Sequence, residues 1–145
     1  MKAIEYLSQA YRLDEQINTK LQQISSLRST ASMVTSAWGG EPVSHSPNPH
    51  ILQDAVCRIA EAEEALNRDI DALVSLKLEI NDVIAKVHNV TYRLILEKRH
   101  LCFMTWEAIA YDLGYSVRWV QIRHQKALEV VQKILDEKEA IFSGY

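Results

Sequence analysis

Glycine and proline are scarce in this chain, four and three of 145 residues, and five of those seven crowd into the stretch 37–50. Turns are therefore few outside that stretch. Cysteine is scarcer still: Cys57 and Cys102 lie far apart in no paired spacing, which excludes a disulfide scaffold and fits a reducing compartment, with the cytoplasm as the default expectation. No run approaches the roughly 20 apolar residues of a membrane span. The first residues, MKAIEYLSQAYRLDEQ, carry Glu5, Asp14 and Glu15 and no apolar core, so they do not read as a secretion signal. The chain also lacks a strong charge of either sign. A net charge of -3 gives no global attraction to nucleic acid or to anionic lipid, and any such binding must come from a local patch.

Hydrophobic residues at 48% and charged residues at 24% are ordinary for a folded protein, and wholesale disorder is excluded. A chain of this length fits one domain and can bury roughly two-thirds of its unfolded surface. Charge is uneven along it. Residues 1–90 hold 8 basic and 12 acidic side chains, whereas residues 91–145 hold 8 and 7. The stretch 114–128 has Arg118, Arg123 and Lys126 and no acid.

Helical periodicity dominates. From residue 2 to 35 a heptad seam runs through Ala3, Tyr6, Ala10, Leu13, Ile17, Lys20, Ile24, Leu27, Ala31 and Val34, polar only at Lys20, with Ile4, Leu7, Tyr11 and Leu21 widening it. The breakers Gly39, Gly40, Pro42, Pro47 and Pro49 then mark 37–50 as a linker. A second seam from 52 to 87 runs through Leu52, Ala55, Ile59, Ala62, Leu66, Asp69, Leu73, Leu76, Ile80, Val83 and Val87. It reads as one helix of about 37 residues, on the order of 55 Å long. Such stripes need partners, which an antiparallel hairpin within residues 1–87 supplies and a coiled-coil homodimer supplies equally well. Asp69 either fixes register or faces solvent at a local drift, and the second is favoured. The acidic run Glu61, Glu63 and Glu64 is expected to face solvent, and Cys57 reads as a small core residue. A further helix restarts at Asn89 or Thr91 with Tyr92, Ile95, Leu96 and Arg99 along one side, and a last one closes at Ser143 and Gly144.

The segment TWEAIAYDLGYSVRWVQIRHQKAL, residues 105–128, carries the chemistry. Thr105 caps a short helix with Glu107 in its first turn; Gly114 supplies the positive φ that ends it; Ser116 caps the next helix, which begins at Val117. Two helices joined so tightly cross steeply, with small Ala110 at the approach and Ile109, Leu113, Tyr115 and Val120 expected in the angle. The buried side of the second helix takes Val120, His124, Ala127, Leu128 and Val131. Its opposite side presents Arg118, Ile122 and Gln125, flanked by Trp119, Gln121 and Lys126. Arginine suits guanine, glutamine suits adenine and an apolar group suits the thymine methyl. Lys126 and the Thr105 hydroxyl suit phosphates, as do the free amides at the two helix starts near 105 and 116.

The run LEKRHLCFMTWEAIAYDLGYSVRWVQIRHQKALEVV resembles the C-terminal helix-turn-helix of sigma-70-type factors, region 4, through Leu96, Arg99, Thr105, Glu107, Ile109, Ala110, Leu113, Gly114, Ser116, Val120, Ala127 and Leu128. With the long helical N-terminal part, the chain further resembles small phage-encoded sigma-like regulators of Gram-positive bacteria, the ArpU and RinA kind. The resemblance implies that Val117, Arg118, Gln121 and Ile122 contact bases. Arg123 departs from it, because that position is normally apolar; its stem can pack while the guanidinium reaches a phosphate or Glu107. Nothing resembles sigma region 2, so independent initiation is not implied.

Elsewhere the sequence is plain. Trp38 and Trp106 read as packing residues. His100 and Cys102 form the one close His/Cys pair and lack further ligands at metal spacing. No nucleophile and base arrangement, Gly-rich phosphate loop or cofactor motif appears, so neither an enzyme nor a cofactor or metal protein is expected. The expectation is an all-α chain: a helical hairpin or coiled coil over 1–87, then a DNA-binding helix-turn-helix over 88–145. Its partners would be double-stranded DNA, RNA polymerase and a second copy joined through 1–87. The alternatives are a small terminase-like DNA-packaging subunit, and an interaction module that docks on protein and never touches DNA.

Overall fold

A computed structural model describes residues 1–38 and 49–144. Among them all regular structure is helical: α1 (Ala3–Trp38), α2 (Pro49–Ala85), α3 (Val90–His100), α4 (Trp106–Leu113) and α5 (Val117–Ser143). Most of the expected linker, and any packing of the Trp38 side chain, lie outside what is described. No described helix is long and apolar enough to cross a membrane. The chain divides into two compact units, Asp14–Ala72 and Met1–Leu13 with Leu73–Tyr145.

In the first unit, Ile17 and Ile24 of α1 and Ile59 and Leu66 of α2 are buried, as the seams require. Each fully buried aliphatic side chain of this size contributes about 1.5–3 kcal/mol. The polar breaks in the two seams meet: the Lys20 ammonium pairs with the Asp69 carboxylate. Asp69 is thus half-buried and paired rather than drifting to solvent, because Lys20 on α1 supplies the opposite charge that lets it stay. Arg28 pairs in the same way with Glu63, which withdraws Glu63 from the open acidic face and leaves Glu61 and Glu64 exposed. The two ion pairs set the segments antiparallel within this unit. Cys57 is exposed rather than in the core. Leu21 and Leu27 are also exposed, since a straight helix of 3.6 residues per turn drifts off a strict heptad stripe.

In the second unit, Tyr6, Leu7 and Ala10 of α1 and Ile80, Val83 and Ile84 of α2 are buried together with Val87 and the inner residues of α3 and α5. Gln132 of α5 ties the start of α1 in place: its Oε1 accepts from the Ala3 amide at 2.7 Å and its Nε2 donates to the Met1 carbonyl at 3.3 Å. The Tyr6 hydroxyl donates to Glu79 Oε1 at 3.2 Å; burial, then the Glu79 charge, push its pKa up to about 12. Ile4 and Tyr11, expected to widen the seam, stay exposed because the buried side here is centred on Leu7. Helix α2 stops in a tight turn, Val87 N–H donating to the Ile84 carbonyl, and Asn89 Oδ1 caps α3 by accepting from the Tyr92 amide at 3.1 Å. Helices α3, α4 and α5 pack on one another.

Candidate nucleic-acid interface

Three local devices fix how α4 meets α5. Thr105 Oγ1 accepts from the Ala108 amide at 3.2 Å and starts α4. Gly114 ends it at φ 74°, a left-handed conformation that costs an L-residue roughly 1–2 kcal/mol. Ser116 Oγ then accepts from the Trp119 amide at 3.1 Å and starts α5. Beneath the turn, Ile95, Ile109, Ala110 and Val120 form a buried cluster, with Met104, Trp106, Leu113, Val117 and Trp119 packed against it. Trp106 does the packing its sequence position suggests, and the Arg99 guanidinium lies over its ring at 4.3 Å while donating to the Met104 carbonyl at 2.9 Å.

Helix α5 faces outward with Arg118, Gln121, Ile122, Gln125 and Lys126 exposed. Four of these, Arg118, Gln121, Ile122 and Gln125, line a groove of about 400 Å³ with Trp106 and His124. Arg118, Arg123 and Lys126 form no ion pair among the described residues. A hydroxyl that accepts from an amide keeps its own hydrogen, so Thr105 and Ser116 can cap a helix and still donate to an anion.

Other expected site residues take different positions. Val117 is half-buried against the inner cluster. Tyr115, expected inside the interhelical angle, is 54% exposed and stacks on Trp119 with ring centroids 3.7 Å apart. Its chain position, one residue after the left-handed glycine, carries it past the corner. The Arg123 guanidinium sits over the other part of this stack, 5.3 Å from the Trp119 ring, rather than on Glu107. Tyr115, Trp119 and Arg123 thus form a ladder beside the reading face.

A second feature carries no local sequence signal. His100 of α3 and His124 of α5 are both buried, with Nε2 atoms 2.9 Å apart. Their ring centroids are 5.1 Å apart, close to the N···N distance plus two ring radii, so the nitrogens point at each other. One must carry hydrogen and the other a lone pair, and the pair holds one bridging proton when neutral. Burial pushes His100 down to about 3, with His124 and Arg99 adding to the shift, and burial and Arg99 push His124 down to about 4. Among the described residues no group of three or more His, Cys, Asp or Glu is placed to hold a metal ion.

No protein-family model matches the chain, and neither a curated protein nor a solved structure is found to match it.

Proposed function

We propose that the chain is a sequence-specific DNA-binding regulator, probing the major groove with the first turns of α5. The observation that carries this reading is the outward set Arg118, Gln121, Ile122 and Gln125, placed beside a capped turn and unencumbered by acids. In this reading α4 and α5 are a helix-turn-helix of the sigma region 4 kind, Arg118 and Gln121 read base edges, and Ile122 meets thymine methyls. Lys126, Arg123, Thr105 and Ser116 hold phosphates. Residues 1–87 act as a helical hairpin that offers a surface for a second copy or for RNA polymerase. The chain performs no catalysis and needs no cofactor, and it belongs with phage-type regulators.

The test is fluorescence anisotropy against duplexes selected from a randomised pool and against scrambled duplexes, across a salt series. The reading expects a preference of about 10³-fold or more that falls steeply with salt. Absence of binding to any duplex at low salt overturns it. A second reading, a protein-docking head, is favoured by the exposed rings of Tyr111 and Tyr115. Weak salt dependence and no sequence preference would select it. Large-ring stoichiometry would instead select a DNA-packaging subunit.

A further inference from the structure

The far half of α5 bears a surface unlike the first. Between the α2–α3 turn and the C-terminal part of α5 lies a groove of about 580 Å³, with Val87, Tyr92, Val130, Ile134 and Ile141 as its apolar lining. Ile141 is 65% exposed, as is 73% of its neighbour Phe142. Lys86, Lys133 and Lys138 stand around the groove, with Glu137 the single carboxylate among the lining residues. None of the three ammonium groups forms an ion pair among the described residues.

We infer that this groove docks an acidic amphipathic helix of a partner protein. The apolar lining asks for a helix presenting aliphatic residues at i, i+3, i+4 and i+7, the usual way a groove of this kind is filled. The lysines ask for carboxylates flanking that stripe, and they do so on a chain whose net charge is negative. Duplex DNA suits the charge and not the floor, which would remove no apolar surface of a phosphate backbone from water. A two-fold pairing of the groove with itself would set three lysines and one glutamate against the same set, which repels. The inference is independent of the DNA-reading assignment, since the groove shares no residue with the α4–α5 face.

The experiment titrates the full-length, isotope-labelled protein with two synthetic helical peptides that share one leucine stripe, one flanked by glutamates and one by lysines. The glutamate peptide is expected to bind about tenfold or more tighter, to lose that advantage at high salt, and to shift amide resonances at Val87–Tyr92 and Val130–Ile141. In the Lys133→Glu/Lys138→Glu variant, at exposed or half-exposed positions, the preference should invert while circular dichroism stays unchanged. Equal binding of both peptides, no binding, or shifts confined to another surface overturns the inference. So does concentration-dependent dimerisation that protects the groove, or loss of duplex binding in the same charge-reversed variant.

Discussion

His100 and His124 share one hydrogen across 2.9 Å, tying α3 to α5 directly beneath the reading face. Trp106 packs edge-on against His124, ring centroids 4.8 Å apart, and the two histidines are 5% and 3% exposed. Both histidines are depressed below the ordinary 6.5, to about 3 and about 4, so on acidification the unfolded chain takes up protons before the folded one. Their stabilising contribution is whole well above pH 6.5 and is lost progressively as pH falls through 6.5 toward 4, with a slope of at most about 1.4 kcal/mol per pH unit for each histidine that the unfolded chain protonates and the folded one does not. Urea midpoints should therefore drop between pH 7 and pH 5, a window that lies above most carboxylate titrations. His124→Gln should remove roughly half of that slope. An unchanged midpoint across this interval in the wild-type protein would show that the pair takes up its protons without cost.

The turn between α4 and α5 yields a second expectation. A Cβ at Gly114 would meet nothing within 4 Å, so any cost of adding one is the left-handed backbone alone. Gly114→Ala should destabilise by about 1 kcal/mol, and Gly114→Asn by clearly less, because asparagine tolerates that conformation. Thermal denaturation of the three proteins checks the order. Equal losses for Ala and Asn would point to a clash, not to φ.

Lys20 and Asp69 illustrate what a seam conceals. Each appears in the sequence as a lone break in an apolar stripe, and only their pairing across α1 and α2 explains both. The side chains are 42% and 28% exposed, so screening by water tempers the attraction. Asp69→Ala alone should cost about 1 kcal/mol, whereas Lys20→Leu with Asp69→Leu should be neutral or stabilising. A double-mutant cycle in denaturant separates these; additive effects would mean that the two charges do not interact.

Signals that live within a few residues were legible in the chain. Thr105 and Ser116 as caps, Gly114 as a left-handed stop, and the outward set from Arg118 to Gln125 all follow from offsets of three or four positions, whereas the cap of α3 stays open between Asn89 and Thr91 until the structure shows Asn89. What was not legible depends on distant partners. The His100–His124 contact joins residues 24 apart, and nothing near either histidine announces it. Cys57 and Tyr115 depart from their expected interior places for a related reason: small size or apolarity gives a residue a preference for the interior, and backbone direction decides whether it can reach. Trp119 belongs to both cases, since its helix position was evident and its stack on Tyr115 was not.

The exposed face of α5 yields the prediction most tightly bound to function. Arg118 is exposed and forms no ion pair among the described residues, and it stands at the second position of the helix, where a guanidinium can present two donors to one base edge. Lys126 lies two turns further on as a flexible point charge. If the first reads bases and the second holds backbone, their removal must fail differently. Arg118→Ala should cost about 1–3 kcal/mol on the preferred duplex and little on a scrambled one, relaxing specificity at one position. Lys126→Ala should weaken both duplexes alike and lower the salt slope by about one. Anisotropy titrations on both duplexes at several salt concentrations measure all four quantities. If the two variants lose affinity in the same proportion on every sequence, α5 contacts DNA through phosphates alone, and sequence preference would have to come from duplex deformability.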